Sequence, residues 1–342
     1  MRVKLGDVCE RGTSNLKLSD VSEKNGEFSV FGASGYIGSV DFYQQGYPYV
    51  AVVKDGAGIG RAMLCPGKTS VIATMQYLLP KDNILPKYLF YVVKYMNLEK
   101  YFTGATIPHI YFKDYKNEEF NFDFWERQVE IVSVLSKCEK VIDLCKQELQ
   151  LLDKLIKARF VELFGDPVSN SYGLPEATLP DLGEFGRGVS KHRPRNDIKL
   201  LGGKYPLIQT GDVANAGLYI TSYSSTYSEL GLKQSKMWDK GTLCITIAAN
   251  IAKTAILEFD ACFPDSVVGF IANERTNNIF VHYWFSFFQA ILESQAPESA
   301  QKNINLKILS ELKVIVPEKR KQDQFASFVK LTDKSKVAVR KY

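Results

Sequence analysis

Residues 125–164 read WERQVEIVSVLSKCEKVIDLCKQELQLLDKLIKARFVELF. Leu135, Ile142, Leu149, Ile156 and Leu163 recur at intervals of seven, and Ile131, Cys138, Cys145 and Leu152 each stand four residues ahead of a member of that row. A seam held over about five heptads predicts one long helix that needs a partner helix. From 124 to 164 the other faces carry seven basic and seven acidic residues, as the solvated outside of a helix pair requires. At 1.5 Å per residue the helix reaches roughly 60 Å, which makes it a spacer.

What flanks the spacer is two stretches of similar make-up. Residues 1–123 show period-2 apolar runs at 27–31, 47–53, 61–64 and 70–79, then a helical stripe at 85–100, a polar loop TGATIPHI and a strand-like NEEFNFDF. GDP at 165–167 stops the long helix, because glycine ends helices and proline cannot continue them. Residues 165–317 then repeat the order, with strand-like runs at 205–210, 242–247, 254–259 and 266–272 and an aromatic helix at 280–295. SAQKNINLKIL, ELKVIVP and a charged helix start at Glu318 complete it.

The repeat can be indexed. A shift of 194 places Ile110 on Ile304, Phe112 on Leu306, Phe120 on Val314, Phe122 on Val316, Gln128 on Gln322, Ile131 on Phe325 and Leu135 on Val329. RGTS at 11–14 matches RGVS at 187–190, and GAGIGRA at 56–62 matches AANIAKT at 248–254. The expected division is 1–123 and 165–317 as two similar α/β (α+β) domains, 124–164 as the central helix and 318–342 as a second helix. Two such helices can pair as an antiparallel coiled coil with a pseudo-two-fold axis, through Leu135, Ile142, Leu149, Leu152 and Ile156. Under the same shift Tyr342 falls on Glu148, sixteen residues before Phe164. The second helix is therefore expected to cover the first only in part.

Composition narrows the function. At 342 residues, 45% hydrophobic and 24% charged, the chain suits two domains and a rod. Without an apolar leader at MRVKLGDVCERG or any run near 18 apolar residues, neither secretion nor membrane insertion is expected, and the cytoplasm is. Six cysteines show no CxxC pairing and read as reduced structural thiols. The first domain has 14 basic against 13 acidic residues and the second 14 against 15; the excess lies in 318–342, with 8 against 3. Net charge alone does not point to nucleic acid.

Catalytic signatures fail one by one. GRAMLCPGKT at 60–69 has the wrong spacing for a phosphate loop and no helix pattern after it. GAGIG at 56–60 is better read as a turn between strands than as a dinucleotide site. His109, His192 and His282 lack metal-ligand spacing. No metal site and no enzyme are expected.

Binding features are clearer. Arg187, Lys191, Arg193 and Arg195 crowd RGVSKHRPR, a group suited to phosphates; a solvated loop is the plain alternative. The turns containing Gly58 and Arg61, and Asn250 and Lys253, each set small residues beside a basic side chain, which lets backbone approach another surface; a hairpin constraint would explain the same residues. Thr106 and His109, with Gln301 and Asn303, occupy matching polar loops before the long helices. Asn and Gln can read adenine edges, although helix lead-in turns use these residues too.

Two divergent domains of about 150 residues, each followed by a repeat helix, with RFVELFGDP closing the first and a TGATIPHI-type loop before it, resemble the specificity (S) subunit of type I restriction–modification systems. The resemblance covers essentially the whole chain. It implies two target-recognition domains, each reading half of a bipartite double-stranded DNA site, and helices that space them and dock two methyltransferase (modification) subunits. S-adenosylmethionine would belong to those subunits, and ATP and Mg2+ to the restriction subunits, leaving this chain non-catalytic and without a cofactor. The competing reading is a two-domain interaction scaffold for protein or carbohydrate, since neither domain is basic overall; a nuclease with a degenerate site is a third.

Overall fold

The computed structural model describes residues 1–22, 26–104, 108–248, 251–295 and 304–340. Contacts group the chain into two units, Met1–Ile142 and Asp143–Tyr342, dividing it inside the long helix.

In the first unit an antiparallel sheet has the order Cys9–Thr13, Met75–Pro80, Tyr49–Val53, Ala62–Cys65. Its strand YVAVV is wholly buried, and the pleat sorts it. Val50 and Val52 pack with Leu89 and Val93 of the helix Pro86–Met96, whereas Tyr49, Ala51 and Val53 pack with Met75 and Tyr77. Burial on both faces is why the run is continuous and not alternating. Pro86 opens the helix and Asn97, with φ of 50°, closes it. A second sheet orders Gly35–Val40, Phe28–Gly32 and Ser70–Val71, the last pair parallel. Arg2–Lys4 pairs with Glu119–Asn121 just before the long helix.

The second unit repeats this plan and adds two edge strands, Tyr219–Ile220 and Met237–Trp238. Gly183–Arg187, Val267–Ala272, Leu243–Thr246 and Thr254–Leu257 form its main sheet in the same order, with Tyr219–Ile220 added at the edge. In its other sheet Leu201–Leu207 lies between Ser225–Tyr227 and Ala261–Cys262, again parallel to the latter. Glu176–Ala177 pairs with Val314–Ile315. The indexed positions fall on equivalent places: Ile110 and Ile304 are buried, Phe112 and Leu306 open short helices, and Phe120 and Val314 lie in the small strand pairs.

Gln128 and Gln322 make the correspondence atomic. Both are fully buried. Gln128 Oε1 accepts from the Leu85 N–H at 2.9 Å, and its Nε2 donates to Asn83 O at 3.0 Å and Asp123 O at 2.9 Å. Gln322 Oε1 accepts from Thr276 Oγ1 at 2.9 Å, and its Nε2 donates to Arg275 O at 3.0 Å and Pro317 O at 2.8 Å. In each unit one amide ties the start of a long helix to the loop before another, satisfying groups that burial would leave orphaned.

The long helix spans Trp125–Phe164 without a break and ends where Gly165 turns to φ of 75°. Its last turns bury Ile156, Phe160 and Phe164 in the second unit's core, where Phe160 stacks on Phe280 at 5.4 Å. Within that unit the helix Lys319–Arg340 runs antiparallel to it, since Phe325 meets Phe160 at 5.3 Å while Lys336 meets Asp153 further along. The seam expectation is corrected in its middle. Ile156 is buried and Leu149 and Leu152 are half-buried, but Leu135 and Ile142 remain 38% and 50% exposed.

All six cysteines are free, and burial pushes the Cys9 thiol up to about 12. Among the described residues no helix is long and apolar enough to cross a membrane, and no group of side chains has the make-up of a metal site.

Candidate nucleic-acid interface

In the first unit the turn between Tyr49–Val53 and Ala62–Cys65 is DGAGIGR. Gly56, Gly58 and Gly60 all have φ near 80° (85°, 83° and 79°), a region that favours glycine. A Cβ at Gly60 would press on the backbone of Leu98 and Glu99, and one at Gly58 on the Arg61 guanidinium. That guanidinium folds back over the turn, donating to Gly58 O at 3.2 Å and Ala57 O at 3.3 Å. The residues are therefore required by a compact turn that presents a cation.

His109 comes to the same place from 54 positions away. Its Nδ1 lies 2.6 Å from Asp55 Oδ1, its backbone exchanges hydrogen bonds with Thr103 at 2.9 Å, and Ile110 N–H donates to Lys54 O at 2.9 Å. The ring stacks over exposed Tyr111, beside which lies Lys113. Gly58, Arg61 and His109, chosen separately from the sequence, thus form one surface with Lys54, Tyr111 and Lys113. Thr106 lies outside the described residues.

The second unit builds the equivalent turn with different residues. Val53 N–H donates to Arg61 O at 2.9 Å in the first unit, and Thr246 N–H to Lys253 O at 2.9 Å in the second, so the second turn is one residue shorter. Ala252 takes the positive φ, 56°, that Gly60 takes in the first. Ile304 N–H donates to Ile247 O at 3.0 Å, matching the bond from Ile110 to Lys54. Lys253 differs from Arg61 in aim: its Nζ donates to Gln289 Oε1 at 3.2 Å in a cavity of about 350 Å3 shared with Lys157, His282 and Lys336. Asn250, Gln301 and Asn303 lie outside the described residues.

The basic loop of the second unit is more constrained than its composition suggests. Arg193 and Arg195 both pair with Asp265, the first at 3.4 Å. Arg193 Nη1 also donates to Ser190 O at 2.5 Å, and Gln234 Oε1 receives the His192 N–H at 3.0 Å. The Lys199 N–H and His192 hold the Asp197 carboxyl below its ordinary range. Arg187 and Lys191 are exposed and have no carboxylate partner among the described residues. Asp55, Asp265 and Gln234 gave no sequence signal, because each acts on a residue more than 40 positions away.

His282 is half-buried within the second unit, its Nδ1 2.9 Å from Thr254 Oγ1. Burial first, and the Lys336 ammonium second, lower its pKa to about 4, so it is a neutral packing residue and not a ligand.

A family model described as type I restriction modification DNA specificity domain matches residues 1–154 and 176–341. A sequence of Methanocaldococcus jannaschii assigned as the type I restriction enzyme MjaX specificity subunit is 22% identical over 292 residues, 80% of this chain and 68% of the relative. The type I restriction enzyme MjaIX specificity subunit of the same organism is 24% identical over 200 residues, 53% of this chain and 45% of the relative. Among solved structures, the S subunit of a type I restriction–modification system from M. genitalium superposes with a TM-score of 0.63 at 17% identity, covering 100% of this chain and 91% of that one.

Proposed function

The chain belongs to the type I restriction–modification DNA specificity family, and from that premise we propose that each unit reads one half of a bipartite double-stranded DNA site. It is a specificity component and not a catalytic one. The observation that supports two readers is the doubled surface: a tight turn carrying Arg61 or Lys253, closed by the same backbone bonds and bridged to the loop that leads into a long helix. Arg61 in the first unit, and Arg187 and Lys191 in the second, are exposed cations that fit phosphates, which position a reader, while polar side chains fit base edges, which specify.

The long helices, on this reading, set the separation of the half-sites and dock two methyltransferase subunits, with restriction subunits joining the assembly. S-adenosylmethionine is assigned to the methyltransferases, ATP and Mg2+ to the restriction subunits, and the whole to the cytoplasm. The exposed central seam of the helix Trp125–Phe164 supports docking, since an apolar stripe of that length is costly to leave in water.

The test is an exchange. Residues 165–317 are replaced by the matching part of another member, the chimera is assembled with its methyltransferase, and modified bases are mapped across a genome. One half of the motif should change and the other persist. A change in both halves, or a continuous motif without a gap, rules out two independent readers.

A further inference from the structure

We propose, granted the reading above, that Asp55 is the positioning residue of a base contact: it fixes the proton of His109 on Nδ1, so that Nε2 accepts a hydrogen bond from the exocyclic amino group of an adenine or cytosine. His109 sits in a loop yet is fixed on three sides. Its backbone is bracketed by antiparallel bridges to Asp55 and to Thr103, which aim the side chain before any ligand arrives. Its ring lies along Tyr111, with centroids 6.1 Å apart and 19° between the planes. Its Nδ1 is 2.6 Å from Asp55 Oδ1, and Lys54 Nζ, 3.2 Å from Asp55 Oδ2, holds the carboxylate by its other oxygen.

A carboxylate can only accept, so Nδ1 must donate, and in the neutral ring Nε2 is left with its lone pair. Nε2 has no partner among the described residues, and the side chain is 37% exposed. In the major groove adenine and cytosine offer a donor, from N6 and N4, whereas guanine and thymine offer only acceptors. An acceptor fixed at Nε2 tells these two classes apart. A free imidazole, which can carry its proton on either nitrogen, does not. The second unit is built otherwise. The bond that ends on Lys54 O in the first unit ends on Ile247 O in the second, so Ala248 follows where Asp55 does, and the shift of 194 places His109 on Asn303. An Asn carries donor and acceptor at once and needs no carboxylate to choose between them.

Two readouts in the full chain test the contact. With 15N-labelled histidine, the ring nitrogens of His109 should show Nδ1 protonated and Nε2 bare in the parent. Both tautomers should appear in Asp55→Asn, whose amide can donate to the ring as well as accept from it. Assembled with its methyltransferase and mapped across a genome, the parent should require adenine or cytosine at one position of one half-site. Asp55→Asn should lose about tenfold of that preference, admitting guanine or thymine there and leaving every other position intact. A parent ring with its proton on Nε2, or with protons on both nitrogens at the pH of the mapping, overturns the proposal. So does an Asp55→Asn motif that is unchanged, or one altered at several positions, as a merely structural role would give. Should that variant fail to fold, His109→Ala decides by the same mapping: the preference at the one position should vanish, and an unchanged motif overturns the proposal. A parent complex that specifies no bipartite motif refutes the proposed function and this contact with it, whereas a bipartite motif indifferent to Asp55 refutes the contact alone.

Discussion

Between the first and third strands of each main sheet the two units carry inserts that share a plan and little else. Residues 14–48 hold two basic and four acidic residues with six aromatics, of which Tyr36 and Tyr47 are 62% and 86% exposed. Residues 188–242 hold eight basic and four acidic residues with five aromatics, and Trp238 is buried under Lys236 at 3.6 Å. One insert offers bare rings, the other cations. The scaffold beneath is the same to the level of single hydrogen bonds, so the difference marks where the chain is free to vary. A repeated frame with divergent inserts is what two readers of different half-sites need.

The largest expected effect strikes the shared frame. Gln128→Leu and Gln322→Leu each remove three hydrogen bonds and leave buried backbone groups unpaired. At about 1–3 kcal/mol per orphaned group, each should cost on the order of 4 kcal/mol. Thermal or denaturant unfolding of the two full-length variants measures it. The costs should be alike; a large loss in one and none in the other would break the equivalence of the frames.

A somewhat smaller effect separates the units by pH. His282 stands where the shift of 194 places Tyr88. Its folded pKa, about 4, lies below the ordinary 6.5, so the unfolded chain binds the extra proton between those values and stability is lost as pH falls from 6.5 to 4. The loss amounts to about 3 kcal/mol, and it belongs to the second unit, since Tyr88 does not titrate there. Lys253, Lys336, Asp153 and Asp333 line the same cavity, so the comparison is with His282→Gln, which should flatten the acid limb. Identical acid profiles for parent and variant would refute it.

Much of the frame was legible. The heptads gave the long helix almost to the residue, LFGDP gave its end, and the shift of 194 found Gln128 and Gln322, whose equivalence the hydrogen bonds repeat. Periodicity missed Cys9–Thr13 and the edge strand Gly35–Val40, which carry few apolar residues in alternation. The candidate site was legible as turns and not as partnerships. Gly58, Arg61 and His109 announce themselves by composition, whereas Asp55, Asp265 and Asp153 pair with cations or a histidine 54 to 183 positions away. Lys336 falls on Ile142 under the shift of 194, and nothing in the spacing points to its partner Asp153.

The smallest effect concerns the inserts themselves. Arg187 and Lys191 are exposed cations without carboxylate partners among the described residues, while Arg193 and Arg195 are partly neutralised by Asp265. If the first two contact phosphates, each contributes about 0.9 to the slope of log K against log salt. Arg187→Ala with Lys191→Ala in the assembled complex should therefore flatten the slope by roughly 2, weakening all DNA sequences alike by about 1–2 kcal/mol near physiological salt. Tyr36→Ala with Tyr47→Ala removes no charge, so it should leave the slope unchanged and act on the half-site read by the first unit. Binding titrations at four or five salt concentrations, on the parent site and on a random duplex, resolve both. An unchanged slope for the cation pair, or an altered one for the tyrosine pair, would show that the inserts do not divide the work by charge.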